Sequence, residues 1–186
     1  GIFVDHEDNV WLSGSAGPDN HILKFTSSGE FLMQIGHAGM NRGSNDTENL
    51  GGPADLFLYE PTNELFVADG YGNRRIIVFD AETGEYKRHW GAYGKPPLDG
   101  GQGGSPADPD VRLEQFATVH CLAMSNDGLL YVCDRANNRI QVFQKDGTFV
   151  QEAVIAASKG FGAVHAIGLS PEAEQRFLYV GDGANK

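Results

Sequence analysis

One phrase recurs along the chain, and it restricts what the chain can fold into more than any other feature. Leu65-Phe66-Val67-Ala68-Asp69, Leu130-Tyr131-Val132-Cys133-Asp134 and Leu178-Tyr179-Val180-Gly181-Asp182 are three versions of an apolar strand that ends near Asp. Each is followed by Gly or Arg and then by a loop containing Asn. The two complete copies continue into Arg75-Ile76-Ile77-Val78-Phe79 and Arg139-Ile140-Gln141-Val142-Phe143. A further unit, less regular, runs from Asn9-Val10-Trp11-Leu12 to Asn20-His21-Ile22-Leu23-Lys24-Phe25. Self-similarity at this spacing is the mark of an array of supersecondary units, each burying its apolar faces against its neighbours.

Each third strand is followed by a turn and a fourth strand. Ser28-Gly29 precedes Phe31 to Ile35, Thr83-Gly84 precedes Tyr86 to Trp90, and Asp146-Gly147 precedes Phe149 to Val154. Glycine at these turns supplies the positive φ that tight hairpins need. First strands read Ile2 to Asp5, Ala54 to Leu58, His120 to Met124 and His165 to Leu169. A four-stranded antiparallel meander per repeat is a propeller blade. The expected fold is therefore all-β, a β-propeller with blades at about 1–36, 54–90 and 119–155 and a half blade at 164–186. That is about three and a half blades, read as one partial domain, a fragment of a larger ring with poor solubility expected of the isolated piece. The polar connections Gly39 to Pro53 and Gly91 to Phe116 read as loops.

The formal net charge of −11 disfavours a polyanionic partner, so nucleic acid is not expected. No apolar run approaches the roughly 20 residues of a spanning helix, so no membrane partner is expected either. Cys121 and Cys133 lie on neighbouring strands of one hairpin and have the option of facing each other, but two buried free thiols are the commoner arrangement and the expectation. Two cysteines say little about compartment. A secreted or periplasmic setting is the expectation.

Asn20-His21-Ile22, with Asn138-Arg139-Ile140 in register, resembles the signature of the NHL-repeat family. At finer grain Asp69-Gly70-Tyr71-Gly72-Asn73-Arg74-Arg75-Ile76, Val119-His120 and Asp134-Arg135-Ala136-Asn137-Asn138-Arg139-Ile140-Gln141 resemble the lyase domain of the peptidylglycine α-amidating enzymes and its bacterial relatives. The resemblance covers nearly the whole chain and implies a six-bladed ring. It further implies that Tyr71 is a catalytic tyrosine, His120 one of three zinc-binding histidines and Arg135 an active-site arginine. The first of the three histidines would stand just before Gly1 and the third beyond Lys186, so one histidine alone is not expected to hold zinc. Calcium is a second cofactor implied by the resemblance. The family's disulfide cysteines do not match Cys121 or Cys133.

The repeat places these three residues on one face of a propeller, because His120 opens a first strand while Tyr71 and Arg135 follow second strands. His165 occupies the same register as His120 but belongs to an adjacent blade. It therefore breaks the alternation of a threefold zinc site and reads as a channel or core histidine. The implied reaction cleaves the C–N bond of a peptide ending in α-hydroxyglycine, giving a peptide amide and glyoxylate. A tyrosine acts as a base near neutral pH only beside a cation, a role for Arg135 or zinc. The substrate expected is a small peptide or a carbinolamine-like compound. Two other readings stand beside this one. The first is a non-catalytic NHL propeller that binds a protein or peptide on its top face. The second is a calcium-dependent lactonase-like hydrolase, which needs carboxylates at the inner strand heads where Ala54, His120 and His165 stand.

Overall fold

The computed structural model describes residues 1–15, 17–100, 113–156 and 162–183. Residues 101–112 of the second connection and 184–186 of the half blade lie outside the described residues. Three four-stranded antiparallel sheets and one two-stranded sheet follow one another along the chain. The first contains β1 (Ile2–Val4), β2 (Val10–Ser13), β3 (Ile22–Phe25) and β4 (Phe31–Ile35). The second contains β5 (Pro53–Tyr59), β6 (Glu64–Asp69), β7 (Arg75–Asp80) and β8 (Tyr86–Trp90), and the third β9 (Val119–Met124), β10 (Leu130–Asp134), β11 (Arg139–Phe143) and β12 (Phe149–Val154). The hairpin β13 (Ala166–Leu169) and β14 (Leu178–Gly181) begins the fourth. In each sheet the spatial order is the sequence order, so every sheet is a meander. The first strands β5, β9 and β13 lie side by side, which makes them the inner edges of neighbouring blades.

The middle strands read as unbroken apolar runs because both of their faces are buried. In β6, Leu65 and Val67 point into a core shared with Trp11, Ile22 and Ile35 of the first blade. Phe66 and Ala68, one residue out of phase, point into a core shared with Phe116, Val119, Val132 and Phe143 of the third. The two-residue period of a strand thus lets one blade fill two cores. A third, smaller core joins the third blade to the fourth through Cys121, Cys133, Ile140 and Val164.

Cys121 and Cys133 are joined in a disulfide, which corrects the expectation of free thiols. They are directly opposed residues of the paired strands β9 and β10, with Cα atoms 5.0 Å apart. That separation suits the bond, and in-register pairing is what the hairpin imposes.

The repeated Asp of the second strands has a structural task in the second and third blades. Asp69 accepts the backbone N–H groups of Gly51 and Gly52, the Asn73 amide and the Arg75 guanidinium. Asp134 repeats the arrangement with Ala117 N–H, the Asn137 amide and Arg139. The second and third blades therefore each clamp the connection that enters them. Arg75 continues the clamp by donating to the carbonyls of Ser44, Asp46 and Asn49, so the loop 39–53 is held by one buried side chain.

A second set of charges ties the second blade to the third. Arg88 grips Glu64 through both carboxylate oxygens, at 2.7 and 2.9 Å, and donates to the carbonyl of Lys145 across the blade boundary. The Arg88 hydrogen bonds lower the Glu64 pKa from 4.5 to about 2. A depressed carboxylate stabilises the fold above its unfolded pKa, and this stabilisation is lost as pH falls through the folded value. Glu64 is therefore expected to contribute about 2–3 kcal/mol at neutral pH, disappearing between about pH 4.5 and 2. Chemical denaturation across that range should show a shallower acid slope for Glu64→Gln than for the wild type. Parallel slopes would remove Glu64 from the account.

Candidate functional site

The loops that follow second strands and the heads of the inner strands meet on one face. The loop after β6 is drawn against the head of β9 by a close approach: a Cβ on Gly70 would run into the backbone of Val119. Gly52, at φ +137°, lets the preceding connection pass beneath the next residue, where a side chain would meet Cβ of Tyr71. Its carbonyl accepts the Tyr71 N–H at 3.1 Å. Two glycines thus aim Tyr71, half exposed, across the blade boundary.

The Tyr71 hydroxyl lies 3.0 Å from Nε2 of His120, and the two rings meet edge to face with centroids 5.7 Å apart. On its other side, His120 Nδ1 lies 2.8 Å from the backbone carbonyl of His165. A carbonyl only accepts, so Nδ1 carries the ring hydrogen, and in the neutral ring Nε2 keeps its lone pair and accepts the tyrosine O–H. Burial lowers the His120 pKa. The hydrogen bond to the His165 carbonyl opposes this, and the charges of His165 and Arg135 add to the lowering. These influences together favour the neutral imidazole.

Arg135 opens a single 3-10 turn, Arg135–Asn137, directly after β10. Its N–H donates to the carbonyl of Thr118 at 2.9 Å, which sets the turn beside the head of β9. Its side chain reaches toward the chain entering the fourth blade, with Nε 3.7 Å from where a Cβ on Gly162 would stand. The structure thus brings Tyr71 and His120 into direct contact and places the charge of Arg135 where His120 feels it.

Two residues at this inner rim were not read as site residues in the sequence. His165 does not sit in a core: it is exposed, and its ring centroid is 4.3 Å from that of His120. Asp55 shows that the inner strands do carry a carboxylate. The register of β5 shifts between Pro53 and Asp55, a bulge that re-aims the side chain. Its carboxylate accepts the N–H of Leu122 in the adjacent β9 and of Leu56, each at 2.9 Å. Burial raises its pKa, against the pull of those two N–H groups. By holding Leu122, Asp55 fixes the strand that carries His120. Ala54 is the unpaired residue of that bulge, so simple alternation along the strand gives no signal for Asp55.

Residues 116–143 match the NHL repeat family. Among known proteins, the chain is 29% identical over 153 residues to human NHL repeat-containing protein 3, covering 78% of this chain and 39% of that protein. It is 31% identical over 155 residues to peptidyl-alpha-hydroxyglycine alpha-amidating lyase 1 of Drosophila melanogaster, covering 80% of this chain and 26% of that protein. The chain therefore spans well under half the length of these relatives. Among solved structures, a catalytically inactive virginiamycin B lyase from Staphylococcus aureus with quinupristin superimposes with a TM-score of 0.62 at 15% identity. That match covers 98% of this chain and 48% of the other, and at that identity it speaks for the fold alone.

Proposed function

We propose that these NHL-repeat blades carry part of the active site of a zinc-dependent lyase, one that splits a peptidyl-α-hydroxyglycine into a peptide amide and glyoxylate. The observation that carries the proposal is the contact between Tyr71 and Nε2 of His120. The similarity to the Drosophila lyase gives the reaction its class.

The setting of His120 supports its reading as one ligand of a zinc site. A ligating histidine normally donates its second nitrogen to a carbonyl or carboxylate, which fixes the tautomer and the ring direction. His120 does so through the His165 carbonyl, and zinc would take Nε2 in place of its hydrogen bond from Tyr71. Bound there, zinc would act as a Lewis acid on the substrate oxygen and favour the charge that develops on it.

The remaining work falls to the chain's own groups. In the proposed reaction Tyr71 acts as its phenolate: it takes the proton of the substrate's hydroxyl, the C–N bond breaks as the C=O of glyoxylate forms, and Tyr71 passes that proton on to the amide nitrogen. Arg135 offers its charge to the glycyl carboxylate, which holds the reacting carbon in place. The Tyr71 hydroxyl is 3.0 Å from Nε2 of His120, so a zinc ion taken up by Nε2 would replace that hydrogen bond and have the hydroxyl as its neighbour. The test is the release of glyoxylate and peptide amide from an α-hydroxyglycine peptide by the zinc-loaded protein. If that protein binds peptides but turns none over, the non-catalytic NHL propeller is the better reading.

A further inference from the structure

We infer that the Cys121–Cys133 disulfide is a positioning device for this site, a covalent rung that aims His120 and sets Arg135 beside it. The geometric part stands on the strand ladder alone, and the effect on metal and turnover rests on the zinc reading above.

The ladder shows what the bond controls. β9 pairs with β10 through Val119 opposite Asp134 and Cys121 opposite Cys133, and His120 between them has no opposite residue. It is the extra residue of a bulge, so its direction is set by the two rungs that bracket it. One rung is held by the Asp134 carboxylate, which gathers the Ala117 N–H, the Asn137 amide and the Arg139 guanidinium. The other is the disulfide. On the facing strand, Arg135 follows Asp134, and its N–H donates to the carbonyl of Thr118 just before β9. The same two rungs therefore set both side chains.

The equivalent rung in the neighbouring blades carries no bond. Asp55 stands opposite Ala68 in the second blade, and Ala166 opposite Gly181 in the fourth. The second blade has the same bulge, but its extra residue is Ala54, which has no side chain to aim. The covalent tie thus coincides with the bulge that carries an imidazole. Packing offers little to replace it, because Cys121 and Cys133 lie in the smallest of the three cores, with Ile140 and Val164.

Two ways of removing the bond give the test. Cys121→Ala combined with Cys133→Ala leaves small residues at a rung where the fold already accepts Ala68, Ala166 and Gly181. Reduction by a dithiol gives the wild-type comparison: the disulfide takes up two electrons and two protons to become two thiols, while the dithiol closes to its own disulfide. Both are compared with the oxidised wild type in the full-length protein that carries these blades, at a temperature where circular dichroism shows each form folded. Zinc affinity is read by competition with a chromophoric chelator, and the His120 ring by its nitrogen resonances.

Without the bond, zinc is expected to bind about tenfold more weakly, the usual cost of losing a group that orients a metal ligand. The His120 ring resonances should move, while those of His37, which is held by Asn49 on the far side of the second blade's entry loop, should not. An unmoved His120 ring or an unchanged zinc affinity in the folded, disulfide-free protein overturns the inference. Loss of the whole fold on both treatments overturns it too, since the bond would then hold the blade and not the site. A displaced His120 in a protein whose oxidised, zinc-loaded form releases no glyoxylate would sink the lyase reading and keep the device. Undiminished glyoxylate release without the bond would do the reverse.

Discussion

Arg75→Met is expected to destabilise the fold by about 3–5 kcal/mol, because it leaves the carboxylate of Asp69 buried without its cation. Both side chains are fully buried, and the guanidinium Nε sits 2.9 Å from Asp69 Oδ2. The Ser44 and Asn49 carbonyls, at 3.0 and 2.8 Å, lose their donor in the same step, as does that of Asp46. Methionine nearly fills the volume but offers no donor, so the loss isolates charge and hydrogen bonding from packing. Equilibrium unfolding in urea reads the effect. The loop 39–53 should also loosen, and with it the Gly52 contact that aims Tyr71. A loss below about 1 kcal/mol would mean that the clamp is replaceable, as an exposed ion pair would be.

Tyr71→Phe is expected to lower turnover by about 10²–10⁴-fold, the usual range for a positioned general base, while leaving zinc bound. The hydroxyl is the only atom removed, and its described hydrogen bond is to His120 Nε2 at 3.0 Å. His120 keeps its other anchor, the His165 carbonyl, so its direction survives the change. Metal content and rate should therefore separate. Turnover at the wild-type rate would exclude Tyr71 as the base. Lost zinc would instead make it a structural partner of His120.

The blades were legible in the sequence because two physical signals coincide in each of them. The strand pairs are apolar on both faces, and the turns carry glycine where φ is positive, at Gly29, Gly84 and Gly147. The Asp and Arg of the clamp also recur, although only the structure shows that Arg75 reaches back to residues 44–49. The disulfide was half legible. Placement on one hairpin was plain, but facing residues depend on register, and register is set by the ladder that opposes Cys133 to Cys121.

The site was legible where it follows the repeat and hidden where the backbone departs from it. Tyr71, His120 and Arg135 occupy equivalent loop and strand-head positions. Asp55 was missed because a bulge changes which side chain faces the adjacent blade. His165 was set aside on a symmetry argument about alternate blades. The distance between neighbouring strand heads, which a sequence does not carry, brings its ring against His120.

The most direct measurement of the central claim is product analysis after incubating the full-length, zinc-loaded protein that carries these blades with a peptide ending in α-hydroxyglycine. Peptide amide and glyoxylate should appear in equal amounts, faster than the spontaneous breakdown of the substrate. Release should fall with His120→Ala, which removes the nitrogen proposed to hold the metal, and return to background when zinc is stripped by a chelator. Products at the background rate from fully zinc-loaded wild-type protein would contradict the account and leave the propeller as a binding scaffold.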